Sequence, residues 1–181
     1  MDKIIYFNNN NQKTDYCSGQ IYQDFLDYAF AESDYFMLVY VNYFGKGFTK
    51  KMKSIRSSLR PFQVKARNNP SWPGVLETFS PNTTYKVIFY KNCFETKTIL
   101  KKAQKLSDWS PPSAPQDLAF FKGNTCWFYS VGHEKIAAII HATERDLDFL
   151  ETKRLASRRD AHAISTNFYD AYDEELIRNK D

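Results

Sequence analysis

The stretch GNTCWFYSVGHE, Gly123 to Glu134, sets an aromatic run between two glycine-centred breaks. Gly123-Asn124 and Gly132-His133 are turn signals at hairpin spacing. Between them, Cys126, Phe128 and Ser130 alternate with Trp127, Tyr129 and Val131, so both sides of the run are mostly apolar. That pattern suits a strand buried on both faces. The apolar segments LAFF (Leu118–Phe121) and KIAAIIHA (Lys135–Ala142) flank it. Together they predict a three-stranded antiparallel meander with Cys126 as a buried thiol in its middle strand.

Upstream the periodicity changes. Lys3–Asn8 reads as a short strand that ends in an asparagine run, which favours turns. Ser18 is placed to begin a helix to about Ser33, with Ile21, Phe25, Tyr28 and Ala29 on its apolar side. YFMLVYVNY, Tyr35–Tyr43, is a strand apolar on both faces. Thr49 can cap a helix that Pro61 ends near Arg60. Gln63–Pro81 reads as a loop, Thr84–Tyr90 as a strand, and Phe94–Asp108 as a helix. Thr143 and Asp146 resemble a capping box for a helix to about Lys153. A polar linker follows, then a last helix carrying Phe168, Tyr172 and Leu176.

Three alternating strand–helix units followed by a meander predict an α/β fold. The expected form is one domain over 1–156, with a mixed sheet of about six strands, parallel in its first half. Residues 157–181 are expected to form a linker and C-terminal helical arm. A chain of 181 residues with 17% aromatic content is long enough for one domain with a ring-rich core. No basic leader with an apolar core and no run of 18 apolar residues is present, so neither a secretion signal nor a membrane span is expected. The three cysteines are odd in number, widely spaced and without a Cys-x-x-Cys pair, which fits free thiols in a reducing cytoplasm.

Around Cys126, the sequence GNTCWF is similar to the cysteine box of ubiquitin-specific proteases, and Cys-Trp more loosely resembles papain-like peptidases. The resemblance implies Cys126 as nucleophile, Asn124 as oxyanion donor, and His162 as base, with His133 and His141 as the other candidates. It covers about nine residues. Only 55 residues follow Cys126, where that family needs a long intervening region, and only 19 follow His162. His133 and His141 are eight residues apart, so HEKIAAIIH is not the zinc motif His-Glu-x-x-His; on a strand they stand about 26 Å apart. No phosphate-binding loop or dinucleotide fingerprint is present, and no cofactor or metal is expected.

Charge is the remaining signal. The net charge is only +4, yet residues 35–76 contain no Asp or Glu. Lys50, Lys53, Arg56 and Arg60 fall on the outer side of the helix after Thr49. Lys65 and Arg67 continue the positive charge, and Trp72 offers a ring for stacking. Cations beside an aromatic platform suit nucleic acid or an acidic protein surface. The expectation is a non-enzymatic cytoplasmic binding or regulatory protein that engages an acidic partner, protein or nucleic acid, through these seven residues. A small cysteine hydrolase built on Cys126 is the alternative. So is an α/β enzyme whose site gathers where 8–17, 42–47 and 91–93 converge at one sheet edge.

Overall fold

Strands apolar on both faces need cover above and below, and here the two covers are of different kinds. The computed structural model describes residues 2–7, 17–68, 70–76, 80–164 and 173–176. In chain order the elements are β1 (Lys3–Tyr6), α1 (Gly19–Glu32), β2 (Tyr35–Asn42), α2 (Lys50–Leu59), β3 (Gln63–Asn68) and β4 (Thr84–Lys91). They continue with α3 (Phe94–Leu100), β5 (Gln116–Lys122), β6 (Thr125–Val131), β7 (Ile136–Ile140), α4 (Glu144–Thr152) and β8 (His162–Ala163).

The eight strands form one sheet in the order β3-β4-β2-β5-β6-β7-β1-β8. Every adjacent pair is antiparallel. This overturns the mixed, six-strand sheet expected from the sequence. The reason lies in what occupies the gaps. β2 and β3 run the same way, as a helical crossover requires, but β4 sits between them. β4 and β5 also share a direction, with β2 between them. β1 and β2 also share a direction, with three strands between them. Each crossover therefore skips at least one position, and a strand from elsewhere in the chain fills it in the opposite sense. The meander β5-β6-β7 forms as expected.

The four described α-helices all feed one face. Tyr22, Phe25, Leu26 and Ala29 of α1, Met52 and Leu59 of α2, Leu100 of α3, and Leu147 and Leu150 of α4 pack with Phe36, Leu38, Tyr40, Ile88 and Phe120 of the sheet. The second face, with Met37, Val39, Val41, Val87, Phe89 and Tyr129, is covered by Trp72, Val75 and Leu176. The register of β5 against β6 slips between Phe120 and Phe121. Trp127 and Phe128 consequently both join the helix-side core, while Cys126 joins the other. Simple alternation along β6 had put Trp127 with Tyr129.

Two further expectations change for local reasons. The helix anticipated to Asp108 stops at Leu100, because the backbone at 104–106 pairs with residues 17–19 instead. Gly19 N–H donates to Gln104 O at 2.8 Å, and Leu106 N–H to Cys17 O at 2.9 Å. The expected loop after Pro61 contains an edge strand, β3, whose inward positions are charged and so give no apolar alternation. By contrast, Thr49 caps α2 by accepting from Met52 N–H at 3.2 Å, and the Thr143–Asp146 box caps α4.

A buried carboxylate joins the second face to the meander. Asp117, in β5 with φ of 60°, is inaccessible to solvent. Its Oδ2 accepts from Trp72 Nε1 at 2.8 Å and Gln116 Nε2 at 3.1 Å, and its Oδ1 from Gly132 N–H at 2.9 Å. Burial pushes its pKa up to about 6, and the three donors oppose that rise. Gly132 is required here, since a Cβ would lie 2.1 Å from Trp109 O.

Relative to the unfolded chain, the contribution of Asp117 is fully present below about pH 4 and declines as pH rises through about 6. Trp72→Phe keeps a ring but removes a donor, raising the folded pKa further. We expect it to cost about 1.5–3 kcal/mol in urea denaturation at pH 8 and distinctly less at pH 5, where the carboxyl is protonated.

Candidate functional site

The basic residues singled out by the sequence divide into two groups with different fates. Lys65 and Arg67 stand opposite Phe89 and Val87, so they point to the second face, away from the helices. There they meet Glu174, which is only 8% exposed. Lys65 Nζ lies 2.7 Å from Glu174 Oε1, and Arg67 Nε and Nη2 each lie 3.0 Å from Oε2. Lys65 also donates to Glu175 O, and the Arg67 guanidinium lies over the Phe89 ring. Asp173 bridges to Thr125, and the irregular residues after it are tied to the β5–β6 turn, with Glu174 N–H donating to Asn124 O at 2.8 Å and Leu176 N–H to Asn124 Oδ1 at 2.9 Å. The last helix expected around Leu176 is therefore absent over 173–176, and its earlier part lies outside the described residues. Trp72 is 0% exposed and spends its indole N–H on Asp117. Lys65, Arg67 and Trp72 hold the fold together and do not form a surface with α2.

The α2 group behaves differently. Lys50, Lys53 and Arg60 are exposed, and Arg56 is half-buried. The Arg56 guanidinium sits 5.8 Å from the Tyr40 ring centroid and 5.6 Å from that of Phe48, pinning α2 to β2 by cation–π attraction. Elsewhere Lys3, Lys97, Lys101, Lys122, Arg145, Lys153 and Arg158 have carboxylate partners. Among the described residues, Lys50, Lys51, Lys53, Arg56 and Arg60 form no ion pair.

The turn leading into α2 adds an aromatic element that sequence reading missed. Phe44 is 63% exposed with φ of 50°, and Tyr43 is also exposed. Asn42 Oδ1 accepts Gly47 N–H at 2.7 Å across this turn, so the two rings are displayed on a tied tip. Thr49 then donates to Pro112 O at 3.1 Å, anchoring the start of α2 to the 110–115 segment. The only hint in the sequence was Gly45 and Gly47, which mark a break but not which side chains it projects.

A groove runs along the other side of α2. One part, about 260 Å³, has Ile55, Ile99, Ala103, Trp109 and Ala114 in its wall. It continues into a wider bowl of about 460 Å³ at the β6–β7 turn, where Lys51, Lys105, His133 and Lys135 line the wall. Lys51 and Asp108 belong to both parts.

The enzyme readings find no such support in geometry. Cys126 is fully buried on β6, and its thiol donates to Phe128 O. Burial pushes that thiol well above its usual pKa, the opposite of what a nucleophile needs. His162 is on β8, three strand positions away, about 14 Å. It stacks on Tyr6, and His141 stands 3.6 Å from Asp2. The Asn124 backbone and side chain serve the 173–176 segment. The proposed convergence at one sheet edge also fails. Lys91 pairs with Tyr35 at the start of β2, so 91–93 lies at the opposite end from 42–47; most of 8–17 lies outside the described residues. No group of three or more His, Cys, Asp or Glu that could hold a metal occurs among the described residues, and no helix there is long and apolar enough to cross a membrane.

Two outcomes are expected. Arg67→Glu places a second carboxylate against Glu174 and should lower the melting temperature by several degrees, whereas Lys53→Glu should leave it within about 1 °C. In native labelling with iodoacetamide, Cys93 should react first, because Cys17 and Cys126 are buried.

Compared with known proteins, the chain has no significant match to any family model, any curated protein or any solved structure.

Proposed function

We propose that this is a non-enzymatic binding protein that engages an acidic partner through α2 and the Tyr43–Gly47 tip. The observation that carries the reading is the set of unpaired cations on α2, in a molecule that pairs most of its other described cations internally. Lys50, Lys53 and Arg60 supply the contact charge, and Arg56 fixes the helix on the sheet. An exposed ring beside exposed cations favours a nucleic-acid strand over a protein surface, since any base can stack on Phe44 while phosphates meet the lysines. The absence of disulfides among three thiols supports a reducing setting such as the cytoplasm.

The test is fluorescence polarisation with a labelled oligo(dT) strand across a salt series. Contacts from three cations predict a slope of log K against log salt of about −2. The triple reversal Lys50→Glu, Lys53→Glu, Arg60→Glu should remove binding while leaving the melting temperature unchanged. Phe44→Ala should weaken binding about tenfold without altering the slope. Binding unaffected by the triple reversal would refute the reading. Binding of polyglutamate in place of oligo(dT) would redirect it to an acidic protein.

A further inference from the structure

We propose that the hollow where α1 ends, β2 begins, β4 ends and α3 begins is a binding site for a free aromatic amino acid. Its residues are separate from those assigned to the acidic partner. The hollow measures about 470 Å³, room for one such molecule, and Phe30, Tyr35 and Phe94 are in its wall. Phe30 rests edge-on against Phe120 and tilted against Phe36, so it belongs to the framework. Phe94 does not. At 77% it is the most exposed large apolar side chain among the described residues. A ring standing in water at the mouth of a hollow gains contact area and a stacking partner when another ring enters.

The polar side of the wall is held in place and carries both signs of charge. Asn92 Nδ2 donates to Ser33 O at 2.9 Å and to Ser33 Oγ at 2.8 Å, and Asn92 N–H donates to Asp34 O at 2.9 Å. These bonds fix the carboxamide and leave its Oδ1 buried with no donor. A buried acceptor in that state is costly, and an N–H group brought by a ligand offsets the cost. Asp34 commits Oδ2 to Gly123 N–H at 2.7 Å, which leaves Oδ1 for a cation. On the positive side, Lys97 and Lys101 share one carboxylate, Asp27, at 2.9 and 2.7 Å. Lys91 lines the same hollow and has no ion pair among the described residues. Asp27 and Asp34 thus face Lys91 and Lys97 across the wall. A ligand with one sign of charge would meet as much repulsion as attraction there. A zwitterion satisfies both: its ammonium goes to Asp34 and Asn92, its carboxylate to the lysines, and its ring to Phe94.

Isothermal titration of the full chain with L-tryptophan, tryptamine, N-acetyl-L-tryptophan and L-alanine tests the site. The expected result is saturable one-to-one binding of L-tryptophan with a Kd below about 1 mM. Tryptamine lacks the carboxylate, N-acetyl-L-tryptophan the ammonium and L-alanine the ring, and each should bind about tenfold more weakly or worse. Phe94→Ala and Asp34→Asn should each weaken L-tryptophan about tenfold. Both positions are exposed, and an asparagine can still accept the Gly123 N–H, so the melting temperature should not move. The triple reversal at Lys50, Lys53 and Arg60 should bind L-tryptophan like the parent protein, so that the two sites fail or succeed separately. No saturable binding of L-tryptophan, binding indifferent to both substitutions, or any of the three analogues binding as tightly as L-tryptophan would each overturn the inference.

Discussion

A sheet whose described helices all lie on one side must find another cover for its second apolar face. Here that requirement organises much of the molecule. Met37, Val39, Val87 and Phe89 cannot be left in water, and no described helix reaches them. The cover is made of irregular chain: the turn carrying Trp72 and the segment Asp173–Leu176. Irregular chain brings backbone and side-chain polar groups to an apolar surface, and each needs a partner. Asp117 serves Trp72, while Lys65 and Arg67 serve Glu174. A buried carboxylate with two cations and hydrogen bonds is tolerable where an unpaired one is not.

The same requirement explains how much of the candidate surface survives. The stretch from 35 to 76 lacks acidic residues, but its positive charge serves two purposes. On β3 it receives the acidic end of the described chain, and on α2 it faces solvent. A residue count cannot separate these uses, because the strand bearing Lys65 and Arg67 looks like loop and their counter-ion is 107 positions or more away in sequence. What remains on α2 is charge that the fold itself does not use.

Local chemistry was legible wherever a short-range signal decided the outcome. Thr49, Pro61, Thr143 with Asp146, and the Gly123-Asn124 turn each mark a boundary that the structure keeps. The buried fate of Cys126 was likewise readable from the run around it. Long-range choices were not. The crossover from Tyr35–Asn42 to Thr84–Lys91 was expected to be parallel, but β3 intervenes and β4 pairs with β2 antiparallel; nothing local says that a crossover will leave an empty lane for a later strand. Neither could alternation reveal the slip at Trp127, nor the capture of 104–106 by 17–19 that shortens α3. In the groove, Lys51, Lys105 and Lys135 come from three separate elements, and only tertiary structure makes them neighbours.

The position of β1 has a consequence for the order of assembly. Its two neighbours are β7 and β8, residues 136–140 and 162–163. Lys3–Tyr6 is made before either neighbour and cannot take its place until some 130 further residues have followed. The sheet can grow from β2, β4 and β5 outward through the meander before that. The early strand then docks last, with Ile4 and Ile5 waiting unpaired in the meantime. The slow step of folding is therefore expected to be the closing of the β7–β1–β8 side, where strands distant in sequence finally meet.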